Sequence, residues 1–253
     1  MEKCDTHISQ ASSEDIMCIH DMAQVVFRHT YREILSPEQM EYMMEWMYSP
    51  ENLQKQLDEG HVYYIAYRDG KACGYVSVQH EGIADDGRLL FHLQKIYVLP
   101  SEQGHGLGRA LFDRAVAHVR EVAQVQESVL VRESTGGFEA VGRHEVVGER
   151  RSAGGHDAAE GHEASERCKA RIELNVNRNN PSIGFYHHLG LRILRQGDFH
   201  IGNGFYMNDY IMGLEVRQPG RQTGNISPAI SNQHPYPVLL SAPFRAATHP
   251  KQQ

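Results

Sequence analysis

At 253 residues and 40% hydrophobic content the chain has room for one large domain or two small ones, with material enough for a core. Its net charge of −7, with 19 acidic against 11 basic side chains in residues 1–125, speaks against nucleic acid as a partner. No apolar run approaches a membrane span, Met1-Glu2-Lys3-Cys4-Asp5 lacks signal-peptide character, and Cys4, Cys18, Cys73 and Cys168 are too scattered for a disulfide framework or a zinc ribbon, so a cytoplasmic protein is expected. The sixteen histidines include no HExxH pair, and no metal is expected.

Taken in chain order, Thr6 to Ser9 suits a short first strand, and Ser13-Glu14-Asp15 starts a helix whose Ile16, Ile19, Met22, Ala23, Val26 and Phe27 follow the 3.6-residue period. Ser36-Pro37-Glu38-Gln39 reads as a capping box with Pro at the first helical position, followed by the core stripe Met40, Met43, Met44 and Met47. Ser49-Pro50 repeats the start signal, Leu53 and Leu57 lie one turn apart, and Gly60 closes that helix. Val62 to Ala66 and Cys73 to Val78 are strands joined through Asp69-Gly70, and Leu89 to Val98 is a third. A helix is expected from Arg109 to about Ala123, a strand over Ile172 to Asn177, and a helix after Asn180-Pro181 that ends at Gly190. Ile193 to Phe199 and Phe205 to Val216 close the order as a hairpin across Gly202-Asn203-Gly204.

Chemistry concentrates in two places. Gln103-Gly104-His105-Gly106-Leu107-Gly108-Arg109 joins a strand to a helix, where glycines let the backbone approach a bulky anion and a helix start aims unsatisfied N–H groups at it. There is no Lys-Ser or Lys-Thr pair for a P-loop, and Arg109 stands where a dinucleotide fingerprint needs its third glycine. The second place is Asn180-Pro181-Ser182-Ile183-Gly184-Phe185-Tyr186-His187-His188-Leu189-Gly190-Leu191, where Asn180 or Ser182 can cap.

Gln103-x-x-Gly106-x-Gly108, followed by Asn180, Ser182, Tyr186 and Gly190-Leu191 in that order, resembles the GNAT superfamily, the Gcn5-related N-acetyltransferases. The resemblance implies an α/β (α+β) fold, the GNAT acyl-CoA N-acyltransferase fold, with a mixed, mostly antiparallel sheet flanked by helices. It implies acetyl-CoA as acetyl donor, with the backbone of Ile96, Tyr97 and Val98 pairing with the pantetheine arm. The pyrophosphate would lie on Gln103, Gly104, His105, Gly106, Leu107, Gly108 and Arg109. Asn180 and Ser182 would orient the cofactor, and Tyr186 would protonate the departing sulfur. His92, on the cofactor strand, is the candidate base. Thr30-Tyr31-Arg32-Glu33-Ile34-Leu35-Ser36, with Trp46-Met47-Tyr48-Ser49, is similar to the N-terminal region of PaiA-type GNATs, a group associated with polyamine acetylation.

The expected reaction is direct transfer to a primary amine, a small cationic amine or polyamine, drawn by the carboxylates Glu33, Glu38, Glu41 and Glu45 on the acceptor side. A protein N-terminal or lysine acetyltransferase is the alternative enzyme, and a non-catalytic acyl-CoA sensor or interaction module the alternative of another class. The expected partner is a small-molecule amine, with neither nucleic acid nor membrane, and a homodimer is left open. The domain is expected to span 1–216, interrupted by a Gly-, Glu-, Arg- and His-rich insertion over 125–169 that is too polar to offset its ordering entropy. A regulatory or partner-binding element is the second reading of that insertion. The proline-rich 217–253 reads as a disordered tail.

Overall fold

The computed structural model describes residues 5–135 and 170–217. Seven strands form one sheet in the order β1-β2-β3-β4-β5-β7-β6, antiparallel at every pairing except β4 with β5. They are β1 (Thr6–Gln10), β2 (Val62–Arg68), β3 (Lys71–Ile83), β4 (Leu89–Val98), β5 (Ala170–Asn177), β6 (Arg192–Gly202) and β7 (Phe205–Val216). The expected mixed, mostly antiparallel sheet is what forms.

Both faces of the sheet are covered, and the strand sequences show why. On β2, Tyr63 and Ile65 point to one face while Tyr64 and Ala66 point to the other, and all four are buried. One face carries α1 (Ile16–Tyr31), α2 (Pro37–Tyr48) and α3 (Pro50–Asp58), packed through Ile19, Phe27, Met43, Met44 and Leu53. The opposite face carries α4 (Leu107–Thr135), which inserts Leu107, Leu111, Phe112, Ala115 and Val119 over Phe91, Ile172 and Met212. Each such large apolar side chain stabilises the fold by about 1.5–3 kcal/mol.

The hairpin turns follow their residues. Asp69 and Gly70 have φ of 49 and 74°, and Asn203 and Gly204 have 48 and 75°, the paired left-handed conformations of a two-residue turn that matches strand twist.

Several boundaries depart from the sequence reading. Ser12, not Ser13, makes the cap of the first helical turn, in a reciprocal capping box with Asp15. Ser36 does cap α2 by accepting from the Gln39 N–H, but the Gln39 amide turns away to donate to the Tyr206 carbonyl, tying α2 to β7 instead of closing a capping box. Helix α4 begins at Leu107, so Leu107 and Gly108 are helical, and it runs on to Thr135, past the expected end near Gln124. The first part of the expected insertion is thus helix; the rest of 125–169, and the tail beyond Arg217, lie outside the described residues. The short α5 (Ile183–His188) has no side-chain cap, because the Asn180 carboxamide accepts from the Ser182 N–H in a turn just before it.

Two irregularities of β4 open the site. Its parallel pairing with β5 runs only from Leu89↔Ala170 to His92↔Glu173 and then stops, so the two strands diverge beyond that point. Against β3, Ser77 pairs with Lys95 and Val78 with Leu93, leaving Gln94 as a bulge. The bulge shifts the alternation by one. Phe91 and Leu93 face α4 before it, and Ile96 and Val98 after it, which turns Lys95 and Tyr97 toward α1–α3.

Candidate active site

A cleft of about 450 Å³ fills the gap between the diverging strands. Leu93 to Val98 form one wall and Leu174 to Val176 the other; the glycine loop and the start of α4 close one end, and Thr30 and Tyr31 the opposite end. Since β4 has no ladder partner on its β5 side beyond His92, the peptide groups from Leu93 onward face the cleft, an edge that an extended ligand can pair with.

The two loop glycines are required by their backbone. Gly104 and Gly106 have φ of +81 and +79°, and a Cβ at either would meet nothing within 4 Å. Crowding by the protein is therefore not the constraint; the left-handed conformation is. Gly108 differs. It sits in α4, where a Cβ would come within 3.1 Å of the Phe185 ring, so it lets α5 pack against α4. Buried Leu107 anchors the helix start, and the first intrahelical bond joins the Ala110 N–H to the Gly106 carbonyl. The N–H groups before Ala110 are left for the cleft mouth, at the positive end of the helix dipole. Gln103 donates its amide to the Val98 carbonyl at 3.2 Å, fastening the loop to the end of β4. His105 turns instead to the Glu102 carbonyl and does not line the cleft, whereas Arg109 does, with Nε paired to Asp113.

Across the cleft stand Asn180, Ser182, Phe185 and Tyr186. Burial, with the neighbouring Tyr31, pushes the Tyr186 phenol well above its ordinary range, so it holds its proton at neutral pH. Asn180 is buried, and its carboxamide is held by the Ser182 N–H at 2.8 Å.

Residues 27–141 match the model of the acetyltransferase (GNAT) family. Solved structures of the same fold include a PaiA N-acetyltransferase from Thermoplasma acidophilum in complex with coenzyme A. It is 17% identical, with 83% of this chain and 99% of that one covered and a TM-score of 0.50. A GCN5-related N-acetyltransferase from Rhodopseudomonas palustris is 13% identical over 85% and 99% of the two chains, with a TM-score of 0.52. The ribosomal-protein-S18-alanine N-acetyltransferase of Escherichia coli is 15% identical over 87% and 100%, with a TM-score of 0.50. At these identities the structures share the fold.

Besides His105, one expected site residue is not brought to the cleft. His92 precedes the divergence of β4 and β5, where its imidazole lies 3.6 Å from Glu81; burial lowers its pKa to about 4, opposed by Glu173. It belongs to a buried polar cluster beside the cleft and is a poor base. Nor do the four carboxylates expected on the acceptor side line the cleft. Glu33, Glu38, Glu41 and Glu45 are all exposed, and Glu41 is spent on Arg28.

The structure supplies groups the sequence did not single out. Tyr31, the last residue of α1, is buried at the cleft's far end with Tyr97 and Asn180 in hydrogen-bonding reach. Asn175 lines the β5 wall and donates to the buried Asp209 of β7 at 3.3 Å. Lys95 is 5% exposed; its ammonium donates to Gln56 at 2.6 Å and lies over the rings of Tyr48 and Tyr63, and burial lowers its pKa to about 7. The only sequence signal for Tyr31 was its place in the PaiA-like run, and Lys95 and Asp209 carried none.

Proposed function

We propose that the protein moves the acetyl group of acetyl-CoA directly to the primary amine of a small cationic acceptor, a polyamine being the leading candidate. The observation that carries this reading is the edge of β4 from Leu93 to Val98 that has no strand paired with it on the β5 side, with a left-handed glycine loop at one end and the Tyr186 phenol opposite. In this reading the pantetheine amides pair with Ile96 to Val98 as an added strand, and the pyrophosphate rests on the N–H groups at the start of α4. Peptide N–H groups of the same edge polarise the thioester carbonyl as negative charge develops on its oxygen. The amine attacks the carbonyl carbon, the C–S bond breaks, and Tyr186 gives its proton to the thiolate. Asn180 and Ser182 fix the cofactor arm.

The cationic acceptor is supported by the acidic surplus of residues 1–125, which attracts cations at long range even though Glu33, Glu38, Glu41 and Glu45 do not wall the cleft. The similarity of residues 30–36 to PaiA-type enzymes points the same way. The Escherichia coli neighbour is named for acting on a protein alanine, so peptide N-termini belong in any test. A screen of diamines, polyamines, neutral amines and peptides, following free thiol released from acetyl-CoA, is expected to give the highest kcat/KM with a polyamine. A peptide N-terminus outperforming every polyamine would overturn the acceptor assignment.

A further inference from the structure

Direct transfer leaves one group unassigned. An alkylammonium has no lone pair, so something beside the acceptor end must take a proton before attack, and His92 does not reach the cleft. Asp209 does lie beside that end. It sits on the same sheet face as Met207, which packs beneath α1 and α2, and its strand pairs antiparallel with β5, setting Asp209 opposite Asn177. Asn175 stands between it and the cleft, lining the cleft and donating to Oδ2. The residue is 5% exposed, and Oδ1 is buried with no hydrogen-bond partner. A buried carboxylate oxygen left without a donor costs stability. Such an atom is explained when its donor arrives with the substrate.

We propose that Asp209 is the proton acceptor for the incoming ammonium, taking its proton at Oδ1 through one water beside Asn175 and Tyr31. The inference rests on the proposed amine acetylation and names the group that starts it. The ammonium N–H bond breaks and the proton passes to the Asp209 carboxylate. The neutral amine then forms the N–C bond while the C–S bond breaks, and the thiolate takes the Tyr186 proton. The proton shed by the acylated nitrogen restores Tyr186 through solvent, and that on Asp209 leaves to water. Burial raises the Asp209 pKa to about 6, opposed by Asn175 and by Arg178 after β5, which places the carboxylate between useful basicity and full ionisation at neutral pH. The charged and titratable groups facing it are Arg178 and, from the end of α1, Tyr31. Arg178 is itself paired with Asp198 of β6.

The test is Asp209→Asn, which keeps shape and burial. Wild type is expected to lose kcat/KM as pH falls through about 6. The variant should lose on the order of a hundredfold in kcat at neutral pH, lack that acidic limb, and keep acetyl-CoA affinity unchanged. Turnover near the wild-type value overturns the proposal, and so does a loss of turnover with the acidic limb retained, which marks a merely structural role. A readout independent of turnover is the ¹³C carboxyl titration of Asp209, assigned by its loss in the variant. It should titrate near 6 and move when a polyamine joins the CoA complex. Titration in the ordinary aspartate range, or no response to amine, overturns the inference. Failure of every amine to release thiol in wild type sinks the amine reading itself and this inference with it, while an active wild type with an unresponsive Asp209 sinks the inference alone.

Discussion

Two side chains on the cleft, half-buried Tyr186 and buried Lys95, carry opposite consequences for stability and chemistry. For Tyr186 the proposed role belongs to the hydroxyl, while the ring packs against the core and beside Phe185. Tyr186→Phe keeps that packing. It should lower kcat on the order of a hundredfold with acetyl-CoA affinity unchanged, read by steady-state kinetics and calorimetric titration. Lys95 is the reverse case, a charge the fold tolerates at a cost. Its pKa falls from the ordinary lysine value of 10.5 to about 7, so the unfolded chain binds the extra proton between those values. Stability on its account therefore rises with pH from about 7 to 10.5, and the cost is full below about 7. Lys95→Met leaves Gln56 with the Tyr63 hydroxyl as donor. The variant should be more stable by roughly 2 kcal/mol at neutral pH, with the gain shrinking as pH approaches 10. Urea melts at several pH values check this, and a destabilised variant at pH 7 would show the ammonium to be needed where it lies.

At the scale of elements, the glycine loop separates two kinds of glycine that look alike in sequence. Gly106→Val forces a β-branched residue to φ +79°, a strain of about 1–3 kcal/mol that the loop can relieve only by moving. Acetyl-CoA affinity should fall at least tenfold with the fold intact. Gly108→Ala asks only that the Phe185 ring give by a few tenths of an ångström, so it should destabilise by less than about 1 kcal/mol and leave binding nearly unchanged. Equal losses of affinity from the two substitutions would contradict the distinction. Strand β4 over Leu89–Val98 and strand β7 over Phe205–Val216 were legible to the residue, because alternation and turn residues bound them on both sides. The Gln94 bulge and the turn before α5 were not. The turn is local, but an Asn side chain serves a turn as readily as a helix cap. The bulge depends on pairing with Ser77 and Val78 elsewhere in the fold, and a one-residue phase shift is invisible to local patterning. For the same reason Asp209 could not be placed beside Asn175 from sequence, since their proximity is a register between β5 and β7.

Over the whole molecule, we expect the long connection between α4 and β5 to be separable from the site. Beyond Ala123 the described side chains of α4 are no longer buried, and Val125 is 59% exposed. Arg120 donates to the Arg217 carbonyl, and Val216 pairs with Ala170, so α4 near Arg120 already lies beside the start of β5. Replacing 125–169 with a short turn should preserve the melting temperature within a few degrees and leave acetyl-CoA binding intact, since loop closure grows cheaper as the connection shortens. Global unfolding of that deletion would show that the segment contributes to the core. The GNAT order of elements was legible because its two motifs flank this segment and each carries its own helix and strand signals.

The central claim is that the cleft between β4 and β5 performs acetyl transfer to a cationic amine. Its most direct measurement is thiol release from acetyl-CoA with and without a polyamine, at neutral pH, in wild type and Tyr186→Phe. The account predicts release that depends on the amine, saturates with it, yields the N-acetylated product, and falls on the order of a hundredfold in the variant. Release that is independent of any amine, or a variant as fast as wild type with the polyamine, would contradict it.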